Sequence, residues 1–228
     1  MEWIARNLLR IRDDIEAACR RSGRDPLSVR LVCVTKSVDA AMIRAAFALG
    51  CRDVGENRIV DAEKKIAQLA DLPLVWHGIG TIQTNKAGRA VHLFQLIHSV
   101  HAVHTAEALS RAAERAGKRQ EVLLQVNASR EPQKHGVMPE EVEAVARAVA
   151  ALPGLHLTGL MTMAALADDP EEARPSFRLL RRLRDRMAAQ LPDVVELSMG
   201  MSQDYVVAVE EGATLLRIGS AVFAGAGR

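Results

Sequence analysis

A strict alternation of short apolar runs with amphipathic stretches constrains the fold of this sequence more than any other feature. Stretches with apolar residues at helical spacing are predicted helices at 39–49, 58–70, 84–92, 105–116, 139–151, 171–189 and 203–211. Runs rich in Val, Ile and Leu are predicted strands at 31–34, 53–55, 74–79, 95–99, 121–126, 155–161, 194–197 and 214–218. Such alternation predicts parallel strands joined by right-handed crossovers.

Eight β–α units in about 200 residues predict an α/β fold, a single (β/α)8 TIM-type barrel at the small end of its size range. Residues 2–21 form a further amphipathic helix before the first strand, whereas only Ser220 to Arg228 follow the eighth strand. We therefore expect the N-terminal helix to replace the missing eighth outer helix. Because no Gly/Ser linker or charge block divides the chain, residues 1–228 are predicted to form one domain.

Composition argues against several classes of partner. The sequence has 30 Lys and Arg against 28 Asp and Glu, which gives a net charge of +2. This charge lacks the excess of basic residues that is typical of a surface that binds nucleic acid or an anionic membrane. No stretch approaches the roughly 18 consecutive apolar residues of a membrane span, and the first residues do not resemble a signal peptide. Three cysteines without a CxxC pair argue against a disulfide framework. We expect a soluble, cytoplasmic monomer.

In such a barrel, function is expected at the carboxyl ends of the strands. Lys36 lies just after the first predicted strand, separated from it by Thr35. A lysine partly removed from water there would be a better nucleophile, because burial disfavours the ammonium form and a neutral amine forms an imine with an aldehyde. The alternative is an ordinary exposed lysine at a strand end.

Two turns rich in small residues follow strands seven and eight, where barrels of this kind bind phosphate. They are Ser198-Met199-Gly200-Met201-Ser202 and Gly219-Ser220-Ala221. Backbone N–H groups and hydroxyls in such turns bind anions, although each turn alone would also serve as a cap or a terminal turn. Arg217 lies near the end of the eighth strand. Facing a pyridine nitrogen, it would keep that nitrogen unprotonated, which suits binding better than demanding carbanion chemistry.

Other polar residues at strand ends, Glu56, Asn57, His77 and Asn127, fit a structural role as well as a ligand contact. A triplet of histidines, His98, His101 and His104, raises the possibility of a zinc site. The triplet spans a strand end and a helix start, so its rings need not converge, and no carboxylate or cysteine motif accompanies it. No metal site is expected.

Several separate segments, in order along the chain, resemble the YggS/PROSC family, the pyridoxal phosphate homeostasis proteins. The resemblance covers essentially the whole chain. The matching segments are Val34-Thr35-Lys36-Ser37, Gly55-Glu56-Asn57, Trp76-His77-Gly78-Ile79-Gly80, Gln83-Thr84-Asn85-Lys86, Asn127 with Glu131, Lys134 and Gly136, Gly159-Leu160-Met161, Ser198-Met199-Gly200-Met201-Ser202-Gln203-Asp204 and Arg217-Ile218-Gly219-Ser220.

The resemblance implies a barrel like that of alanine racemase, of the type III fold that binds pyridoxal 5′-phosphate (PLP), with PLP held as a Schiff base at Lys36. It implies that Arg217 faces the ring nitrogen. It also implies that no residue is catalytic. The implied role is to buffer the cofactor or to deliver it to PLP-dependent apoenzymes, and this role affects amino-acid and keto-acid balance. The resemblance also implies that the phosphate lies against Ser198, Gly200, Ser202, Gly219 and Ser220. The other cofactor-binding residues that it implies are Asn57, His77 and Met161.

This sequence departs from the family pattern at four positions. Gly78 stands in place of a bulky aromatic residue, Val38 in place of a frequent second lysine, His101 in place of a common Asp and Ser220 in place of a common Thr. The last change keeps the hydroxyl. The expected effects of Gly78 and Val38 concern the shape of the pocket mouth and any second cofactor site.

Two enzyme classes on the same barrel are alternatives to a cofactor carrier. Amino-acid racemases resemble a barrel followed by a β domain that supplies an opposing tyrosine, whereas this sequence has one tyrosine, Tyr205. A lysine-dependent aldolase or phosphate-sugar enzyme would share Lys36 and the phosphate-binding turns. It would trap a sugar phosphate and carry no visible chromophore.

Overall fold

A computed structural model describes residues 2–225, and the outer ends of the predicted 1–228 domain, Met1 and 226–228, lie outside the described residues. All the strands pair in parallel and close into a barrel in the order β1 to β8, with β8 pairing to β1. The strands are β1 (Arg30–Val34), β2 (Asp53–Glu56), β3 (Val75–Gly78), β4 (Leu96–Val100), β5 (Gln120–Gln125), β6 (Leu155–Met161), β7 (Glu196–Ser198) and β8 (Leu215–Ile218). The (β/α)8 prediction is confirmed.

The α-helices surround the barrel. They are α1 (Glu2–Ser22), α2 (Ala40–Ala48), α3 (Ile59–Gln68), α4 (Ala87–Leu93), α5 (Val103–Arg115), α6 (Val142–Ala150), α7 (Arg174–Met187), α8 (Tyr205–Glu210) and α9 (Ser220–Phe223). Short 3₁₀ turns precede α4 and α7, at Thr84–Lys86 and Pro170–Ala173. Asp39 caps α2, because its carboxylate accepts a hydrogen bond from the backbone N–H of Met42. Within residues 2–225, no helix combines the length and the apolar character that a membrane span requires.

Helix α1 takes the place of the eighth outer helix. Its apolar stripe, which includes Ile4, Leu8 and Ile11, is fully buried, and the helix contacts α8, α9 and α2. The Asn7 side-chain amide donates hydrogen bonds to the carbonyls of Val222 and Ala224, which ties α1 to the segment after β8. Because α9 spans only Ser220–Phe223, α1 occupies the place beside α8 and α9 that a full eighth outer helix would take. This expectation from the sequence is confirmed.

The difference from the predicted elements that bears most on the site lies at β7, which runs from Glu196 to Ser198 rather than over 194–197. Val195 is 56% exposed, and its backbone N–H donates to the carbonyl of Asp193 in a turn and to the carbonyl of Thr158 in β6. The regular pairing of β7 with β6 runs from Glu196 to Ser198, so the apolar pair at 194–195 marks the approach to the strand and not its start. Ser198 consequently belongs to the strand and not to the loop after it.

The interior of the barrel has an apolar part and a polar part. The apolar part is a separate cluster of buried side chains, Val32, Leu96, Leu123, Met161 and Leu215. The polar part is a set of hydrogen-bonded side chains, Asp53, His77, His98, Ser198 and Arg217. The larger core lies between the strands and the helices. The polar part leads to the carboxyl ends of the strands, where the candidate site lies.

Candidate functional site

The carboxyl ends of the strands open into a cavity of about 980 Å³. This volume lies at the upper end of the range for small-molecule sites. The chain brings together here residues from the ends of β1 and β8 and from the loops after β2, β3, β6 and β7. The predicted cofactor-binding residues that line the cavity are Lys36, Asn57, Ser202, Arg217, Gly219 and Ser220.

Lys36 lies in the turn that follows β1, where the backbone N–H of Val38 donates to the carbonyl of Thr35. The Lys36 side chain lines the cavity but is exposed. The expectation that this lysine is half removed from water is therefore wrong for this structure, since the turn projects it into the open mouth. Its position at the mouth agrees with the prediction.

A buried ionic cluster lies directly behind Lys36. The Glu56 carboxylate, which is buried, accepts hydrogen bonds from the Thr35 hydroxyl and from Lys65 Nζ, each at 2.6 Å. Lys65 Nζ also donates to the Thr35 carbonyl at 2.6 Å, so the peptide that leads into Lys36 is held from behind. Among the described residues, Glu56 Oε2 has no hydrogen-bond partner.

Sequence reasoning missed Lys65, although a signal was present. Lys65 lies three residues after Ala62 and four before Leu69, and both of those residues are buried. At helical spacing this places Lys65 on the inward face of α3. A lysine on such a face requires a buried acceptor, and Glu56 at the end of β2 supplies it.

The two small-residue turns lie side by side at the mouth. Gly200 has a φ of +92°, and a Cβ there would lie 2.6 Å from the Cβ of Ala208, so only glycine fits. The backbone N–H of Ala221 donates to Ser202 Oγ at 3.1 Å, which links one turn to the other. The Asp204 carboxylate accepts from the N–H of Met201 at 2.6 Å, and burial raises the pKa of Asp204. These contacts fix the shape of both turns.

Arg217 is the most unusual side chain at the cavity. It is 4% exposed, and burial lowers its pKa to about 10, which still leaves it charged at neutral pH. Its Nη1 donates to Ser198 Oγ at 2.6 Å and its Nη2 to the carbonyl of Thr162 at 2.8 Å. No residue within 2–225 forms an ion pair with it. A buried cation with neutral partners favours a ligand that brings acceptor groups or negative charge.

Four of the predicted cofactor-binding residues do not line the cavity: His77, Met161, Ser198 and Gly200. Ser198 belongs to β7, and its hydroxyl bonds inside the barrel to Arg217 and, at 2.8 Å, to His98. His77 bonds to Asp53 and His98 at 2.9 Å each, since it lies within β3 and not at its end. Met161 packs in the interior apolar cluster. The expectation that these residues face the cavity is wrong, because the strands carry them into the interior or behind the turn.

The three histidines of the triplet lie in three different environments. His98 is buried in the barrel, His101 is half-buried with its ring centroid 5.4 Å from that of His135, and His104 is exposed. In the part of the chain that the structure describes, no group of three or more His, Cys, Asp or Glu residues could hold a metal ion.

Two of the positions that depart from the family pattern have clear structural settings. A Cβ at Gly78 would lie 2.7 Å from Cδ2 of Phe94, so the Phe94 ring fills the space beside this glycine. Gly78 does not line the cavity, and a side chain at this position would point to the helix layer and not to the mouth. Val38 is buried and lines the cavity.

The one tyrosine of the sequence does not line the cavity. Tyr205 begins α8, and its hydroxyl donates to the Asp14 carboxylate of α1. Burial, followed by the contact with Asp14, raises the pKa of Tyr205 to about 12. The Tyr205 hydroxyl therefore links α8 to α1.

Comparison with known proteins points to one family. Residues 7–226 match the model of the alanine racemase N-terminal domain. The pyridoxal phosphate homeostasis protein of Pseudomonas aeruginosa is 42% identical over 223 residues, which are 98% of this chain and 96% of that protein. The structure of PipY from Synechococcus elongatus with PLP bound is 38% identical with a TM-score of 0.84, and covers 96% of this chain and 99% of that one.

A more distant structure shows the fold alone. Alanine racemase of Clostridium difficile is 13% identical with a TM-score of 0.76, and the match covers 98% of this chain but 56% of the racemase. The close relatives carry the name of a homeostasis protein rather than that of an enzyme. The resemblance inferred from the sequence is confirmed, and the chain belongs to the family of pyridoxal phosphate homeostasis proteins, which share the barrel of the alanine racemase N-terminal domain.

Proposed function

We propose that this chain binds PLP as a Schiff base at Lys36 and acts in intracellular PLP homeostasis, buffering or delivering the cofactor and thereby affecting amino-acid and keto-acid balance. The observation that carries the proposal is the meeting of Lys36, the buried Arg217 and the two linked turns around one cavity. The PLP-bound relative PipY, whose chain matches nearly the full length of this one, supports it.

The residues present fit the chemistry of this cofactor. The amine of Lys36 would add to the aldehyde carbon, and the carbonyl oxygen would leave as water with the two amine protons. The turn N–H groups and the hydroxyls of Ser202 and Ser220 would hold the phosphate. Arg217 would donate to the ring nitrogen and keep it unprotonated. When bound, the cofactor supplies an electrophilic carbon and an electron-withdrawing ring.

The other residues that the resemblance assigns to the cofactor site would lie at different distances from the cofactor. Asn57 lines the cavity and would contact the cofactor directly. Ser198 and His77 would act through Arg217, since both belong to the hydrogen-bonded interior set. Gly200 shapes the turn, and Met161 fills the barrel beneath the site. A racemase would need a second acid–base group opposite Lys36, and Tyr205, bound to Asp14, is not available for it.

The proposed cellular setting follows from the same reading. We infer a single-domain, cytoplasmic monomer over residues 1–228 that exchanges PLP with PLP-dependent apoenzymes and binds neither nucleic acid nor membrane. Light scattering after gel filtration tests the monomer. Incubation of the loaded protein with a PLP-free transaminase tests delivery, because recovered transaminase activity measures cofactor released from this chain.

The primary test is the visible absorption spectrum of the purified protein after incubation with PLP, followed by borohydride reduction and peptide mass spectrometry. Wild type is expected to be yellow, with a phosphopyridoxyl adduct on Lys36. Lys36→Ala is expected to be colourless, while Lys64→Ala, which removes an exposed lysine of α3, should match wild type. A wild type that stays colourless would overturn the proposal, and a sugar phosphate trapped instead would indicate an aldolase.

The carrier role has its own test. The loaded protein is incubated with alanine or serine in deuterium oxide, and exchange of the α-hydrogen is followed by NMR. We expect exchange no faster than that catalysed by free PLP. Exchange at enzyme-like rates, about 1 s⁻¹ or faster, would replace the carrier role with that of a racemase.

A further inference from the structure

A chain of hydrogen-bonded side chains crosses the interior of the barrel from the cavity to the opposite face. Arg217 Nη1 lies 2.6 Å from Ser198 Oγ, and Ser198 Oγ lies 2.8 Å from His98 Nδ1. His98 Nε2 lies 2.9 Å from His77 Nδ1, and His77 Nε2 lies 2.9 Å from Asp53 Oδ1. The four residues nearest the cavity, Arg217, Ser198, His98 and His77, are at most 4% exposed, so water does not compete for the bonds among them.

The charged groups around this chain lie at its two ends. At the far face, Arg30 is 3.9 Å from Asp53 and 2.9 Å from Glu196. At the cavity, Arg217 is the cation, and Asp204 is the acidic group whose charge acts on it. His98 lies between the ends, and burial, with smaller effects from His77, Arg217 and Arg30, lowers the pKa of His98 well below its usual range. His98 is therefore neutral at physiological pH.

The chemistry of the two ends determines where every proton in the chain lies. A guanidinium only donates and a carboxylate only accepts. Ser198 Oγ thus accepts from Arg217 and gives its own proton to His98 Nδ1. A neutral His98 must then carry its proton on Nε2 and donate it to His77 Nδ1, and His77 must donate from Nε2 to Asp53. All the bonds run in one direction, from the cavity to Asp53. The Asp53 carboxylate and the hydrogen bonding of Arg217 are therefore coupled through four contacts.

We propose that Asp53, His77, His98 and Ser198 are positioning residues for the cavity, and that they hold the Arg217 guanidinium in place from the far face of the barrel. The identity of the ligand that Arg217 meets rests on the proposed function. The direction of the hydrogen bonds does not, since it follows from the chain itself. Asp53 anchors the arrangement, because it is the acceptor at which the chain ends.

The hydrogen arrangement is tested on the ligand-free protein by two-bond ¹H–¹⁵N correlation NMR of the histidine rings. We expect His77 and His98 to be Nε2–H tautomers at neutral pH. Asp53→Leu removes the terminal acceptor, so we expect a mixture of tautomers at His98 and faster solvent exchange of the Arg217 N–H groups. His104→Gln, which changes an exposed histidine outside the chain, should alter neither readout. Wild-type His98 protonated on Nδ1 would overturn the proposal.

The effect on the cavity is measured by PLP titration, followed by absorbance. Ser198→Ala removes the bond to a charged group, and we expect the dissociation constant for PLP to rise about tenfold. Asp53→Leu should raise it in the same direction, and His104→Gln should leave it unchanged. If Asp53→Leu and Ser198→Ala both keep the wild-type affinity and the wild-type Arg217 exchange rate, the positioning role is wrong. If wild type binds no PLP, the proposed function fails, while the tautomers and the Arg217 exchange rate still decide the positioning role.

Discussion

At the scale of single residues, Gly78 and Phe94 show how one small residue is matched by a large one elsewhere in the chain. The Phe94 ring is buried and lies where a side chain at position 78 would begin. We expect Gly78→Phe to destabilise the protein by about 1–3 kcal/mol, because two rings cannot occupy this space without strain. Urea denaturation monitored by circular dichroism measures the change.

Two controls separate crowding from a general effect of losing glycine. Gly88→Ala in α4 adds a Cβ that meets no atom within 4 Å, so it should be neutral or stabilise the helix by about 1 kcal/mol. Adding Phe94→Ala to Gly78→Phe should restore part of the lost stability. A Gly78→Phe variant as stable as wild type would show that the Phe94 ring is not held in place.

His98 makes the stability of the protein depend on pH. Burial lowers the pKa of His98 well below 6.5 in the folded state, whereas the unfolded chain has an ordinary histidine there. Below that pH the unfolded state takes up a proton that the folded state does not, so stability is complete above pH 6.5 and falls as pH falls. The slope from this residue reaches about 1.4 kcal/mol per pH unit. Between pH 6.5 and 5, His98→Gln should remove from the slope of unfolding free energy against pH the contribution of one proton, up to about 1.4 kcal/mol per pH unit. His104→Gln should leave that slope unchanged.

At the scale of elements, the ion pair between Lys65 of α3 and Glu56 of β2 joins the outer layer to the barrel. Glu56 is fully buried at its side chain and Lys65 is 13% exposed. Lys65→Met would leave the Glu56 carboxylate buried without a cation, and we expect it to lower the free energy of unfolding by about 3–5 kcal/mol. Chemical denaturation measures it, with Lys64→Met, at an exposed position of the same helix, as the control.

A double variant tests whether the loss comes from the stranded charge. Glu56→Gln together with Lys65→Met removes both charges, so it should be more stable than Lys65→Met alone. A double variant as unstable as the single one would assign the loss to Lys65 packing and to its bond with Thr35. The same variants also affect the position of Lys36, because Lys65 donates a hydrogen bond to the carbonyl of Thr35, the residue before Lys36.

At the scale of the whole molecule, ligand binding and folding are linked. A ligand that binds only the folded barrel stabilises it, by about 2.7 kcal/mol at one hundred times its dissociation constant. We expect PLP at that concentration to shift the urea midpoint of wild type accordingly. Lys36→Ala at the same PLP concentration should show a smaller shift, because the covalent bond is lost. An equal shift in both proteins would argue that PLP binds away from Lys36.

Much of the architecture can be predicted from the sequence because the signals are local. The alternation of strands and helices, the apolar stripe of α1 and the position of Lys36 at the end of β1 all depend on residues close together in the chain. The two turns and Arg217 could likewise be predicted as neighbours, since β7 and β8 are consecutive parallel strands whose carboxyl ends meet at one rim.

The tertiary structure alone decided which polar residues face the cavity and which support it from within. Ser198 and His98 are 100 positions apart, and no periodicity predicts their bond. β7 ends at Ser198 and not at residue 197, so Ser198 is a strand residue whose side chain points into the barrel and not a residue of the following loop. Local pattern determines which face of an element is buried, whereas the partner of a buried polar group depends on how distant elements pack. That is why the sequence by itself determined the barrel, the lysine and the turns, and only the folded structure revealed the polar chain behind Arg217, the Lys65–Glu56 pair and the exposure of Lys36.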